Sequence, residues 1–133
     1  MYGWSELNTL RKARNRHEFI ARAEAALGHN IETISGREQA RLIYPGVSHK
    51  VEDDSARRLV ADIGGGSTEN ILGRHFQTGL TENLCMGCVA MSQVCFGDGR
   101  IRAQGLAEAK LAAKRAREPV QQMFLTQKFT AVF

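Results

Sequence analysis

Leu59-Val60-Ala61-Asp62-Ile63 runs directly into Gly64-Gly65-Gly66-Ser67-Thr68-Glu69, and Asn70-Ile71-Leu72 follows at once. A short apolar run, a glycine cluster and a second apolar run predict two strands joined by a tight turn, Leu59–Ile63 and Asn70–Leu72. Three glycines in succession also leave backbone N–H groups with no Cβ beside them, so that an anion can come close. Ser67 and Thr68 add hydroxyl donors. Asp62 and Glu69 bracket the turn with carboxylates, the ligand type that hard cations such as Mg²⁺ prefer. Bare amides next to carboxylates suit phosphoryl chemistry, and a plain glycine hairpin with solvated acids is the other reading of the same residues.

The rest of the chain reads as elements arranged around that hairpin. Leu7 to Arg14 predicts a short helix. Asn15 is a candidate N-cap for a second one, whose apolar positions Phe19, Ile20, Ala23, Ala26 and Leu27 recur at helical spacing before Gly28 stops it. Asn30–Ile34 alternates like a strand. Ser35-Gly36-Arg37-Glu38 is a capping box that should open a helix through Ala40, Leu42 and Ile43, with a bend or early stop near Tyr44 because Pro45 follows. Ser48 to Arg58 is polar and reads as a linker. Downstream, the pattern predicts a turn over Gly73–Gln77, a strand over Thr78–Leu84 and a helix over Met86–Phe96. A long helix from Gln104 to about Thr126, kinked at Pro119, and a last strand over Phe129–Phe133 complete the series.

Composition limits the classes of function. At 133 residues the chain can hold one compact domain or two small lobes. A net charge of +4 suits an anionic ligand, yet the basic residues are scattered and lack interleaved aromatics, which argues against nucleic acid. No apolar run reaches transmembrane length and no signal peptide opens the chain, so a cytoplasmic protein is the default expectation. Cys85-Met86-Gly87-Cys88 is formally a C-x-x-C, but no second pair accompanies it. Buried, reduced thiols are therefore expected at Cys85, Cys88 and Cys95, and no zinc or redox role.

The octapeptide Asp62-Ile63-Gly64-Gly65-Gly66-Ser67-Thr68-Glu69 resembles the second phosphate loop of the exopolyphosphatase/guanosine pentaphosphate phosphohydrolase (Ppx/GppA) family, within the actin-like, sugar-kinase and Hsp70-type ATPase superfamily. Two further stretches agree in order and spacing, Ile34-Ser35-Gly36-Arg37-Glu38-Gln39-Ala40-Arg41-Leu42-Ile43 upstream and Met86-Gly87-Cys88-Val89 downstream. The resemblance implies an α/β protein, a partial ribonuclease-H-like fold with a mixed sheet flanked by helices. It implies that residues 1–54 are a helix-strand-helix remnant of the family's first domain and 55–133 the lobe carrying the loop. It further implies polyphosphate or guanosine pentaphosphate as ligand and Mg²⁺ as cofactor. Gly64, Gly65, Gly66, Ser67 and Thr68 would hold phosphate. Asp62 and Glu69 would hold metal, and Glu38, Gln39 and Glu69 are the catalytic candidates.

Two departures from the family pattern bear on activity. The family's first phosphate loop matches no stretch here. Where the family places two acids before Ala-Arg-Leu, the second of them catalytic, this chain has Glu38 and Gln39, and an amide can align water but not take its proton. Glu38 is one residue away, about 100° around a helix, and its expected work is the capping box. Two readings follow: a phosphohydrolase fragment, weak or inactive alone, and a non-catalytic phosphate-binding or assembly module. Apolar side chains on the early helices (Phe19, Ile20, Leu27, Leu42, Ile43) are expected to need covering, and a homodimer through Leu7–Tyr44 would cover them.

Overall fold

The computed structural model describes the backbone at residues 4–5, and residues 10, 13–51 and 55–133. Most of the helix expected over Leu7–Arg14 lies outside the described residues. The elements are β1 (Trp4–Ser5), α1 (Arg16–Leu27), β2 (Ile31–Glu32), α2 (Gly36–Ser48), β3 (Arg57–Ile63) and β4 (Thr68–Arg74). They continue with β5 (Gln77–Leu84), α3 (Cys88–Cys95), α4 (Ala103–Leu125) and β6 (Ala131–Val132). The chain divides into two compact units, Met1–Ser35 and Gly36–Phe133.

In the first unit, β1 and β2 pair in parallel, Trp4 against Ile31. Helix α1 ends as expected at Gly28, which is left-handed (φ 71°) and returns its N–H to the Glu24 carbonyl at 2.8 Å. That conformation is nearly free for glycine and costs other residues about 1 kcal/mol. Asn15 precedes α1, but its side chain makes no capping bond.

The second unit is a four-stranded mixed sheet in the order β5-β4-β3-β6, with β3–β4 and β4–β5 antiparallel and β6 parallel to β3. Its connectivity is the strand-strand-strand-helix-helix-strand series expected from the sequence. Strand periodicity sends Arg58, Val60 and Asp62 to one face, with their partners Gly73, Ile71 and Glu69 on β4. Helix α2 covers that face, and Ala40, Tyr44, Val60 and Ile71 form the buried core, with Ile43 and Val47 packed against it.

Three expectations are corrected. Helix α2 does not stop at Tyr44 but continues through Pro45 to Ser48, and His49 N–H bonds to the Pro45 carbonyl at 3.0 Å. The reason is packing: Ala40, Tyr44 and Ser48 form a buried i, i+4, i+8 stripe. Truncating a buried aromatic costs about 3–5 kcal/mol, against about 3 kcal/mol for proline inside a helix. The docked face wins. Second, the β4–β5 turn is only His75–Phe76, with His75 at φ 52°, so both strands extend further than expected. Third, Cys85 and Cys88 are exposed and Cys95 is half-buried. Cys85 and Cys88 stand at the exposed ends of the strap between β5 and α3, whose Gly87 is buried, a placement that local sequence does not encode.

Helix α2 packs on β4 and β5 of the second unit. The polar Ser48–Arg58 stretch and the family resemblance set the expected lobe boundary at 54/55, and the compact units part at Ser35/Gly36.

Candidate functional site

The turn between β3 and β4 is closed by Gly64 N–H donating to the Ser67 carbonyl at 2.9 Å. Glycine is not needed there for handedness, since the described glycines with left-handed φ are Gly28 and Gly99. It is needed for close approach. The first turn of α3 is fastened to the loop: Cys88 N–H donates to the Gly64 carbonyl at 2.9 Å, and Val89 and Ala90 N–H both donate to the Gly65 carbonyl at 3.0 Å. These bonds satisfy three of the donors that a helix N-terminus otherwise leaves orphaned. Gly87 sits against the loop so closely that a Cβ there would lie 2.5 Å from Gly65 C and Gly66 N. Thr68 Oγ1 adds a bond to the Met86 carbonyl at 2.7 Å.

With the carbonyls of Gly64 and Gly65 turned to α3, the N–H groups of Gly65 and Gly66 donate to no described residue. Gly65 is exposed and Gly66 half-buried. Successive unpaired amides on a turn are the kind of arrangement that can cradle an anion. Thr68, expected to face phosphate, has its hydroxyl proton committed to Met86.

Glu69 is fully buried at 0% exposure. Its Oε1 accepts from Ser67 Oγ at 2.8 Å and from Asn83 Nδ2 at 2.6 Å, while Oε2 is buried with no partner among the described residues. Such an oxygen costs about 1–3 kcal/mol unless something meets it, more if charged, so it is the site's clearest open valence. Asp62 stands directly opposite Glu69 in the β3–β4 register, half-buried, on the same face. No group of three or more His, Cys, Asp or Glu that could hold a metal gathers among the described residues. Two carboxylates nonetheless fit Mg²⁺, which keeps several waters and takes further oxygens from phosphate.

The structure separates the two α2 candidates. Glu38 is held by Arg41, whose Nε and Nη2 donate to its carboxylate at 2.9 and 2.7 Å. The side-chain hydrogen bonds from Arg41 keep the Glu38 carboxyl below its ordinary range. It is tied up and acidic, a poor base. Gln39 is half-buried, and its Oε1 is buried without a partner among the described residues.

Sequence reasoning missed Asn83, Gly36 and Gly87. Asn83 holds Glu69, and Gly36 at the start of α2 lies so close to Asn83 that a Cβ would come 2.7 Å from Nδ2. Asn83 was out of reach because the hairpin carries a bulge. Leu72 pairs with Leu80 but Gly73 pairs with Thr78, which leaves Gly79 extra. A bulge-free hairpin counted from the turn would set Glu82 opposite Glu69, two carboxylates side by side. Gly87 did carry a signal, being a glycine in the first turn of the helix predicted over Met86–Phe96.

The Ppx/GppA phosphatase family model matches residues 8–132. The chain is 46% identical over 112 residues to the guanosine-5'-triphosphate,3'-diphosphate pyrophosphatase of Vibrio cholerae serotype O1, covering 84% of this chain and 22% of that protein. The same figures hold for its counterpart in Aeromonas salmonicida. This chain thus spans about a fifth of the curated relatives it matches. Among solved structures it superposes on an exopolyphosphatase-like protein with a TM-score of 0.86 at 26% identity, covering 98% of this chain and 42% of the other. An exopolyphosphatase from Cytophaga hutchinsonii gives 0.81 at 22% identity, with 98% and 41% covered, a likeness of fold alone.

Proposed function

The chain belongs to the Ppx/GppA phosphatase family, and on that premise we propose that it binds the terminal phosphates of polyphosphate or of a phosphorylated guanine nucleotide at its glycine turn. The observation that carries this reading is the pairing of unpaired Gly65 and Gly66 amides with the unpartnered, buried Glu69 Oε2 just beyond the turn. The amides would neutralise phosphate oxygens, with Ser67 and Thr68 shaping the turn. Asp62 and Glu69 would hold Mg²⁺, which when bound would supply charge neutralisation between phosphate and carboxylate. Ser67 and Asn83 fix Glu69 in one orientation, so it enters the reaction pre-organised.

Hydrolysis of a phosphoanhydride needs an aligned water and a group to take its proton. Gln39 would align the water through Oε1 but cannot accept the proton. Glu38, engaged by Arg41, is the weaker candidate for the base. Glu69 is then the carboxylate left for that role, shared with its metal duty, and the chain alone is proposed to be a weak or inactive hydrolase. The non-catalytic alternative keeps the same anion site and loses only turnover.

Titration of the chain with long-chain polyphosphate at low salt with Mg²⁺ is expected to show binding, weakened by Asp62→Ala. Binding that is absent under those conditions sinks both readings. Phosphate release in the same mixture separates them.

Assembly belongs to the proposal as well. Phe19, Leu27 and Leu42 are 49%, 42% and 54% exposed. We place them in a homodimer interface formed from Leu7–Tyr44, in a cytoplasmic protein. No helix among the described residues is long and apolar enough to cross a membrane. Sedimentation equilibrium is expected to give twice the 14.7 kDa chain mass. A single-chain mass at micromolar concentration rules the interface out.

A further inference from the structure

The sheet face opposite the core holds a cavity of about 560 Å³ between the strands and α4. Its floor is apolar: Leu59 from β3, Leu84 from β5 and Met86, met by Val120 and Phe124 from the helix. Except for buried Leu84 these side chains are half-buried, so the cavity retains open apolar surface. The wall on α4 is cationic, formed by Lys110, Lys114 and Arg117.

At about 100° per residue those three cations fall within about 60° of one another, and Val120 and Phe124 lie on the flank beside them. One sector of the helix therefore passes from apolar to basic across the cavity. Lys110, Lys114 and Arg117 make no ion pair with any described residue. Like charges at i, i+4 cost a helix a few tenths of a kcal/mol, so the helix by itself gains nothing from this pattern.

We infer that this cavity binds a fatty acid, alkyl chain on the Leu59–Leu84–Phe124 floor and carboxylate on Lys110, Lys114 and Arg117. A purely anionic ligand would leave the floor wet, and a purely apolar one would leave the cations unmet. The volume falls inside the range of small-molecule pockets, which pair an apolar lining with a few polar groups that fix orientation. Thr68 and Asn70 of β4 and Met86 line the cavity too, so it borders the loop, but its cations stand on α4 and variants there test it apart from the phosphate reading.

Titration of the full chain with laurate below its micelle concentration is expected to give 1:1 binding with a Kd on the order of 1–10 µM. The triple change Lys110→Ala, Lys114→Ala, Arg117→Ala should weaken it about tenfold or more, and alanine is the best helix former, so α4 should persist by circular dichroism. Val120→Trp, which fills the floor and spares every charge, should abolish binding. Undetectable binding, an unchanged Kd in the triple variant, or one-for-one displacement of laurate by pyrophosphate would each overturn the assignment, the last in favour of a plain anion site.

Discussion

A Gln39→Glu exchange is expected to raise phosphate release from polyphosphate by about 10²–10⁴-fold over whatever rate the chain sustains, the usual contribution of a general base. The argument rests on where position 39 lies. Its side-chain oxygen is buried and has no hydrogen-bond partner among the described residues, so an introduced carboxylate would be desolvated without a cation such as the one that claims Glu38. Desolvation pushes a carboxyl upward toward neutrality, where a base is most effective. The control is Glu38→Gln, which removes a carboxylate already committed to Arg41 and should leave the rate within about twofold, since exposed pairs contribute little. A rate unmoved by Gln39→Glu, with polyphosphate binding intact, would place the defect elsewhere than the missing base.

The second large effect is on stability. Tyr44 is fully buried at 0% exposure within the Ala40–Val60–Ile71 core, and its hydroxyl meets no partner among the described residues. Tyr44→Ala is expected to cost about 3–5 kcal/mol, a large share of the roughly 5–15 kcal/mol that keeps a domain folded. Tyr44→Phe deletes only the unmet hydroxyl and should be neutral or stabilising by about 1 kcal/mol. Urea denaturation of the two variants separates the contributions, because the ring and the hydroxyl are predicted to act in opposite directions. A Tyr44→Phe variant that loses more than about 1 kcal/mol would mean that the hydroxyl has a partner after all.

These two positions show how far local sequence reaches. Gln39 was legible as a departure, because residue type and spacing alone say that an amide stands where a base is expected. Tyr44 was misjudged, because proline next to it predicts a break, and only docking against β4 and β5 reveals what offsets the proline. The cysteines fall the same way. The thiols at the ends of the strap look buried by residue preference, and become exposed once its backbone is held to the glycine turn.

From Arg16 onward the sequence by itself determined the order and type of the elements, together with the Gly64–Thr68 turn and the Asp62/Glu69 pair, because these rest on periodicity, turn chemistry and residue type within a few positions of one another. Tertiary structure decided what surrounds the pair. The extra residue at Gly79 slides β5 by one position and sets Asn83, in place of Glu82, opposite Glu69. A strand's side chains alternate with a period of two, so a single-residue slip changes which group meets the carboxylate, and nothing in the local wording fixes where that slip occurs.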